Sequence, residues 1–172
     1  MNFPVPRIIN STLAEAIAAG CDCVMLKHVG YPISINCSEG VGNVYTAFRF
    51  GTLDRTLVET FVYTEPINAL LVGAKDPFTN AIHISDIWWV NGTDVQNLTY
   101  RERYILVRLN AHKLDPRFQM VLTYPIQAAQ ELWKTVMKEP KAYCGLVCRK
   151  SKDTAAGALY VIRYYETEPR AL

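Results

Sequence analysis

No apolar run long enough to cross a bilayer occurs in the 172 residues; the longest candidate, residues 82–95, is broken by Asp86, Asn91 and Asp94. Residues 1–10 carry one arginine and two prolines around no apolar core, so no secretory leader is expected. The sequence reads as a cytoplasmic protein without a membrane partner. Cysteine is scarce and odd in number, five in all, and the pairs Cys21/Cys23 and Cys144/Cys148 fit no common zinc-knuckle spacing. Buried, inert thiols are expected in place of a metal site. A glycine-rich phosphate loop is also missing, because Glu39-Gly40-Val41-Gly42 stands between two strand patterns, where a hairpin turn is needed. His28, His83 and His112 lie at no spacing that singles out a base for a cysteine nucleophile. Nine glycines and nine prolines gather into no linker and no repeat is visible, so residues 1–172 are read as a single domain.

What is present is globular: half the residues are apolar and a fifth are charged. The net charge of +2 conceals an asymmetry, since residues 101–152 hold 11 Lys+Arg against 4 Asp+Glu. Such a stretch marks either a polyanion-binding face or lysine- and arginine-rich helix surfaces. Thr12 with Glu15 offers a capping box before an alanine-rich helix that stops at Gly20. Strands are expected over residues 23–27, 33–37 and 43–50, with turns at Gly30-Tyr31-Pro32 and Ser38-Glu39-Gly40. A short helix over residues 53–63 and strands over 69–72 and 81–90 follow, the last ending in an Asn91-Gly92 turn. Thr99 and Glu102 form a second capping box, before a helix on which Tyr104, Leu106, Val107 and Leu109 recur through Ala111. Residues 118–124 read as a strand. A helix over 127–137, with Ala128, Leu132, Trp133 and Val136 inward, ends at Pro140, and strands over 145–149 and 159–165 close the pattern. Strands dominate and helices are separate insertions, which is the α+β class.

The order of short motifs goes further. Lys27-His28-Val29-Gly30-Tyr31-Pro32 sits where a Lys-x-Asp-Gly-x-Arg motif would, and Phe48-Arg49-Phe50-Gly51 where Ser-Arg-Asn-Gly would. Leu71-Val72-Gly73-Ala74 is placed like Leu-Asp-Gly-Glu. Ser85-Asp86-Ile87-Trp88-Trp89-Val90-Asn91-Gly92-Thr93-Asp94 is placed like Phe-Asp-Ile-Leu-x-x-Asn-Gly-x-Asp, and Leu98-Thr99-Tyr100-Arg101-Glu102-Arg103 like Leu-x-Tyr-x-x-Arg. Cys144-Gly145-Leu146-Val147-Cys148-Arg149 is placed like Glu-Gly-Leu-Val-x-Lys, and the last strand like one carrying Lys-x-Lys. In this order, across residues 10–166, the sequence resembles the adenylation (nucleotidyltransferase) domain of ATP-dependent DNA ligases, which are relatives of RNA ligases and mRNA capping enzymes.

The resemblance implies two antiparallel β-sheets with flanking helices; the family appends an oligonucleotide-binding (OB) barrel, for which the length leaves no room, so none is expected. It also implies a lysine, here Lys27, that attacks the α-phosphate of ATP to form a lysyl-nucleotide, with Mg²⁺ held by carboxylates. Gly30, Arg49 and Arg163 stand at positions that contact the nucleotide. The departures fall together. Val29 replaces the first-motif aspartate and Pro32 its arginine. Ala74 and Cys144 replace glutamates, and Arg163 and Tyr165 replace the two final lysines. Losing those carboxylates leaves a metal–triphosphate charge uncompensated by an amount on the order of several kcal/mol; Glu59, Glu65 or Asp76 could substitute only by rearrangement. The implied function is a degenerate adenylation domain, a pseudoenzyme that binds nucleic acid or a protein complex. The alternative is a divergent nucleotidyltransferase working through Lys27 with ATP and Mg²⁺. Candidate nucleic-acid contacts are Arg101, Arg103, Arg108, Lys138, Lys141, Arg149, Lys150 and Lys152, with the aromatic pair Trp88-Trp89 beside them. If that basic segment holds nucleic acid through phosphates, the affinity measured by fluorescence anisotropy should fall steeply as salt is raised, and a salt-insensitive affinity would point to a protein partner instead.

Overall fold

The structure, a computed structural model, describes residues 6–46 and 55–165. It divides into two compact units, the first built from two stretches of chain, residues 1–29 and 121–172, and the second from one, residues 30–120. The first unit is built on a five-stranded sheet in the order β1-β12-β11-β2-β10, from strands β1 (Ile8–Asn10), β2 (Cys23–His28), β10 (Thr123–Pro125), β11 (Tyr143–Arg149) and β12 (Leu159–Arg163). Only β1 runs parallel to its neighbour. Helices α1 (Leu13–Ala18) and α3 (Ala129–Lys138) supply Ala16, Ala129, Trp133 and Val136, which pack on Val24, Leu146, Cys148 and Ile162 from the sheet.

The second unit holds the larger sheet, in the order β5-β4-β3-β6-β7-β8: β3 (Tyr31–Ser38), β4 (Val41–Thr46), β5 (Leu57–Val62), β6 (Ala69–Lys75), β7 (Ile82–Val90) and β8 (Thr93–Asp94). A short β9 (Phe118–Met120) joins β7 in parallel. Alternation along β3 sends Ile33, Ile35 and Cys37 inward, where Leu71, Ile82, Ile84 and Ile87 meet Val107, Ala111 and Leu114 of α2 (Tyr100–Leu114). Among the described residues no helix is long and apolar enough to cross a membrane.

Both expected capping sites are in place. The Thr12 hydroxyl accepts the Glu15 N–H at 3.2 Å, and at α2 Thr99 and Glu102 satisfy each other's backbone in both directions. The Asn91-Gly92 turn is a tight hairpin with φ of 46° and 86°.

Four expectations fail locally. Residues 57–62 are the edge strand β5 and not a helix, because Val58, Thr60, Phe61 and Val62 suit a half-buried pleat better than a helical turn. Tyr31 and Pro32 open β3 instead of making a turn; Gly30 alone breaks the chain, with φ of 151° and room for a Cβ only 2.5 Å from the Lys75 carbonyl oxygen. The strand expected over 118–124 is two strands, cut where the chain leaves one unit for the other, so that Thr123 pairs with Met25 while Phe118 pairs with Ile82. Leu109 lies on the solvent side of α2, 56% exposed.

A buried ion pair ties α2 to β7. Arg103, fully buried, donates to the Asp86 carboxylate at 2.8 and 3.1 Å and to the Leu98 carbonyl at 2.6 Å. Two desolvated charges are tolerable only together. Arg103→Ala should therefore lower stability by about 3–5 kcal/mol in urea unfolding, whereas Arg101→Ala, at an exposed site two residues earlier, should change it by about 0.5 kcal/mol or less.

Candidate functional site

The face of the five-stranded sheet that its helices leave uncovered carries the expected nucleophile. On β2, Val24 and Leu26 join the helix-covered core, which turns Lys27 to the opposite face; by the same alternation Arg149 and Arg163 share that face from β11 and β12. Lys27, Gly145 and Arg163 stand in one row across three strands. Gly145 is required there: its φ is 151°, and a Cβ would lie 2.1 Å from the Ile162 carbonyl oxygen. The row thus holds two cations separated by a residue with no side chain, their backbones about 10 Å apart. Lys27 is half-buried, and Arg163 is exposed with its Nε donating to the Asn10 side-chain oxygen at 3.2 Å.

Cys144, at the β-bulge before Gly145, turns its thiol to the carbonyl oxygens of Lys27 and His28 at 3.7 and 3.9 Å. The cysteines Cys23, Cys37 and Cys148 are buried, and burial pushes each of their thiols up to about 12. They carry little thiolate at neutral pH and act as packing.

In the second unit, Pro32, Ala74 and His83 are cross-strand partners in one row. The positions of the motif arginine and of the third-block glutamate are therefore face to face, and both charges are absent at once. Burial lowers the His83 pKa against the opposing pull of Asp76. Arg49 and Gly51 lie outside the described residues.

Of the carboxylates considered as substitutes, Glu59 and Asp76 are engaged elsewhere, and Glu65 is exposed. Glu59 is held between Arg117 and Lys75, with Lys75 Nζ at 3.0 Å, and Arg117 also reaches Asp115 at 3.0 Å. The Arg117 hydrogen bonds, helped by Lys75 and opposed by burial, bring Glu59 down to about 2. Asp76 accepts the backbone N–H groups of Phe78 and Thr79 at 2.8 and 3.3 Å, closing the β6–β7 turn. Among the described residues no three His, Cys, Asp or Glu side chains gather into a group that could hold a metal ion. The residues at hand do not fit a metal–triphosphate.

The basic set is divided between the two units. Arg101, Arg103 and Arg108 belong to α2 in one unit, and Lys138, Lys141, Arg149, Lys150 and Lys152 to the other. Arg103 is withdrawn from any ligand by its pairing with Asp86, and Arg149 is 5% exposed. Arg101, Arg108, Lys138, Lys141 and Lys152 are exposed; Lys150 is half-buried and stands at Gly20, close enough that a Cβ there would meet its Cε at 3.5 Å. Trp88 is buried and Trp89 half-buried. Sequence reading missed the Glu59–Arg117–Asp115–Lys75 network, whose members are far apart in the chain and follow no motif.

No protein-family profile matches the sequence, and no curated protein does. Solved structures do match. The ligase domain of LigD from M. tuberculosis aligns over 95% of this chain and 61% of its own, with a TM-score of 0.65 at 11% identity. A mycobacterial DNA ligase D complexed with ATP and MES aligns over 96% and 62%, with a TM-score of 0.63 at 11% identity. This is the DNA-ligase-like nucleotidyltransferase fold. At that identity the likeness establishes the fold alone, and this chain spans about three fifths of the length of either mycobacterial structure. A third structure, Pmar-Lig_PreS3, has a TM-score of 0.60 at 12% identity over 94% of this chain and 46% of its own.

Within this nucleotidyltransferase fold the Glu59 network makes a prediction about pH. Glu59 is lowered from its usual 4.5 to about 2, so its contribution is fully present above pH 4.5 and is lost as pH falls through about 2. Thermal midpoints followed from neutral to acid pH should drop along this limb, and the same series on Glu59→Gln should start lower and be flatter.

Proposed function

We propose that the chain is a single degenerate adenylation-like domain, inactive in nucleotidyl transfer, that serves in the cytoplasm as a nucleic-acid- or protein-binding module of a nucleic-acid-processing or larger assembly. One contrast carries the reading. The positions that the ligase resemblance assigns to charge chemistry hold Val29, Pro32, Ala74 and Cys144. The motif residues that survive are absorbed by the frame: Asp86 pairs with Arg103, the Asn91 side chain accepts the Asn68 N–H at 2.9 Å, and Asp94 accepts the Gln96 N–H at 2.9 Å. Glu59 and Asp76 are engaged elsewhere, which disfavours metal-assisted attack on a phosphate. The exposed cations Lys138, Lys141 and Lys152 support a polyanion contact in the first unit.

One observation favours a second reading, a working transferase on Lys27. The Lys27–Gly145–Arg163 row keeps two cations on the sheet face opposite the helices, spaced so that both could reach one phosphate.

The two readings separate in one assay. The folded protein is incubated with α-labelled ATP, then GTP, each with Mg²⁺ and with Mn²⁺, and followed by label transfer and intact mass. The degenerate domain gives no covalent nucleotide adduct under any of these conditions. An adduct that disappears in Lys27→Ala would overturn the proposal and make the chain an enzyme.

A further inference from the structure

We infer that the outward face of α2 is a docking surface for a protein segment whose apolar residues are flanked by carboxylates. At about 100° per residue, the buried residues Tyr100, Arg103, Val107, Ala111 and Leu114 define one side of the helix. The direction opposite to them falls between Ile105 and Leu109. These two apolar residues are 49% and 56% exposed and lie one turn apart, at the centre of the side facing away from the sheet. A helix stabilised only by its own unit would carry polar residues there.

The rim of this face selects the occupant. Arg101 and Arg108 flank the apolar pair on one side, and Lys113 lies on the other, all exposed. The one carboxylate nearby, Glu102, is taken up by the capping box through its bond from the Thr99 N–H. A second copy of the chain is disfavoured. Parallel pairing of two α2 helices about a twofold axis turns the Arg101 and Arg108 edge toward the Lys113 edge, and antiparallel pairing about the apolar pair sets Arg108 against Arg108. Nucleic acid accounts for the cations but not for the apolar centre, because a phosphodiester backbone gains nothing from isoleucine and leucine. An amphipathic helix with leucines along one face and glutamates beside them matches both features. The inference holds whether or not Lys27 is reactive.

The probes are two synthetic helical peptides sharing one leucine stripe, one flanked by glutamates and the other by lysines, and a short single-stranded DNA. Each is titrated into the full chain while the methyl resonances of Ile105 and Leu109 are followed by NMR. The glutamate-flanked peptide should move both methyls, and its affinity should fall by roughly tenfold in Arg108→Glu. Ile105→Gln with Leu109→Gln should abolish its binding without lowering the thermal midpoint, because both side chains already face water. If that double variant is less stable, Arg101→Glu with Arg108→Glu replaces it as the test. The proposal is overturned if the glutamate-flanked peptide leaves the methyls unmoved or binds no better than the lysine-flanked one. It is equally overturned if only the DNA moves them, in which case the face belongs to nucleic acid.

Discussion

Arg103 has no exposed surface, and its guanidinium donates from Nε and Nη2 to the two oxygens of the Asp86 carboxylate. A charge in that position is tolerable only with its counter-charge and its remaining donors satisfied, so the pair admits one placement of α2 on β7 and penalises all others. Around that placement the rest of the unit is arranged. The Thr99–Glu102 capping box fixes where the helix begins, Arg103 reaches back to the Leu98 carbonyl, and Val107, Ala111 and Leu114 then fall on the sheet. Two stretches that look like separate motifs in the sequence are the two halves of this one contact. Their survival says that the frame has been kept, and by itself it says nothing of catalysis.

Catalytic chemistry would need more than the frame. In the first unit the strand register brings Lys27 and Arg163 onto one face with Gly145 between them, and close backbone approach to Ile162 makes the glycine necessary whatever the row does. The positions where the ligase resemblance expects carboxylates hold Val29, Ala74 and Cys144, and Pro32 stands opposite Ala74 across β3 and β6.

Most of the strand and helix pattern was legible because it is written in neighbours along the chain. Hairpin turns at Glu39-Gly40 and Asn91-Gly92 need positive φ at both residues, and the residue types announce it. The alternation of Ile33, Ile35 and Cys37 marks one buried face, and the two capping boxes mark two helix starts. The β-branched residues Val58, Thr60 and Val62 are the local signal for a strand over residues 57–62, whereas no local signal in residues 118–124 marks that the chain changes units there.

Composition, turn chemistry and periodicity therefore determined the α+β class, the order of the elements and the positions of the motif residues, since each depends on contacts a few residues long. Tertiary structure alone decided which charges are used internally. Arg103, counted as a nucleic-acid contact, is the most buried cation, and Glu59, a conceivable metal ligand, is claimed by Arg117 and Lys75. Leu109, spaced like a core residue, faces water because the helix phase is set by Arg103 and Val107 on the sheet. Exposed and buried arginines have the same letter; pairing across 17 residues for Asp86 and 58 for Glu59 is what separates them, and no local pattern encodes that separation.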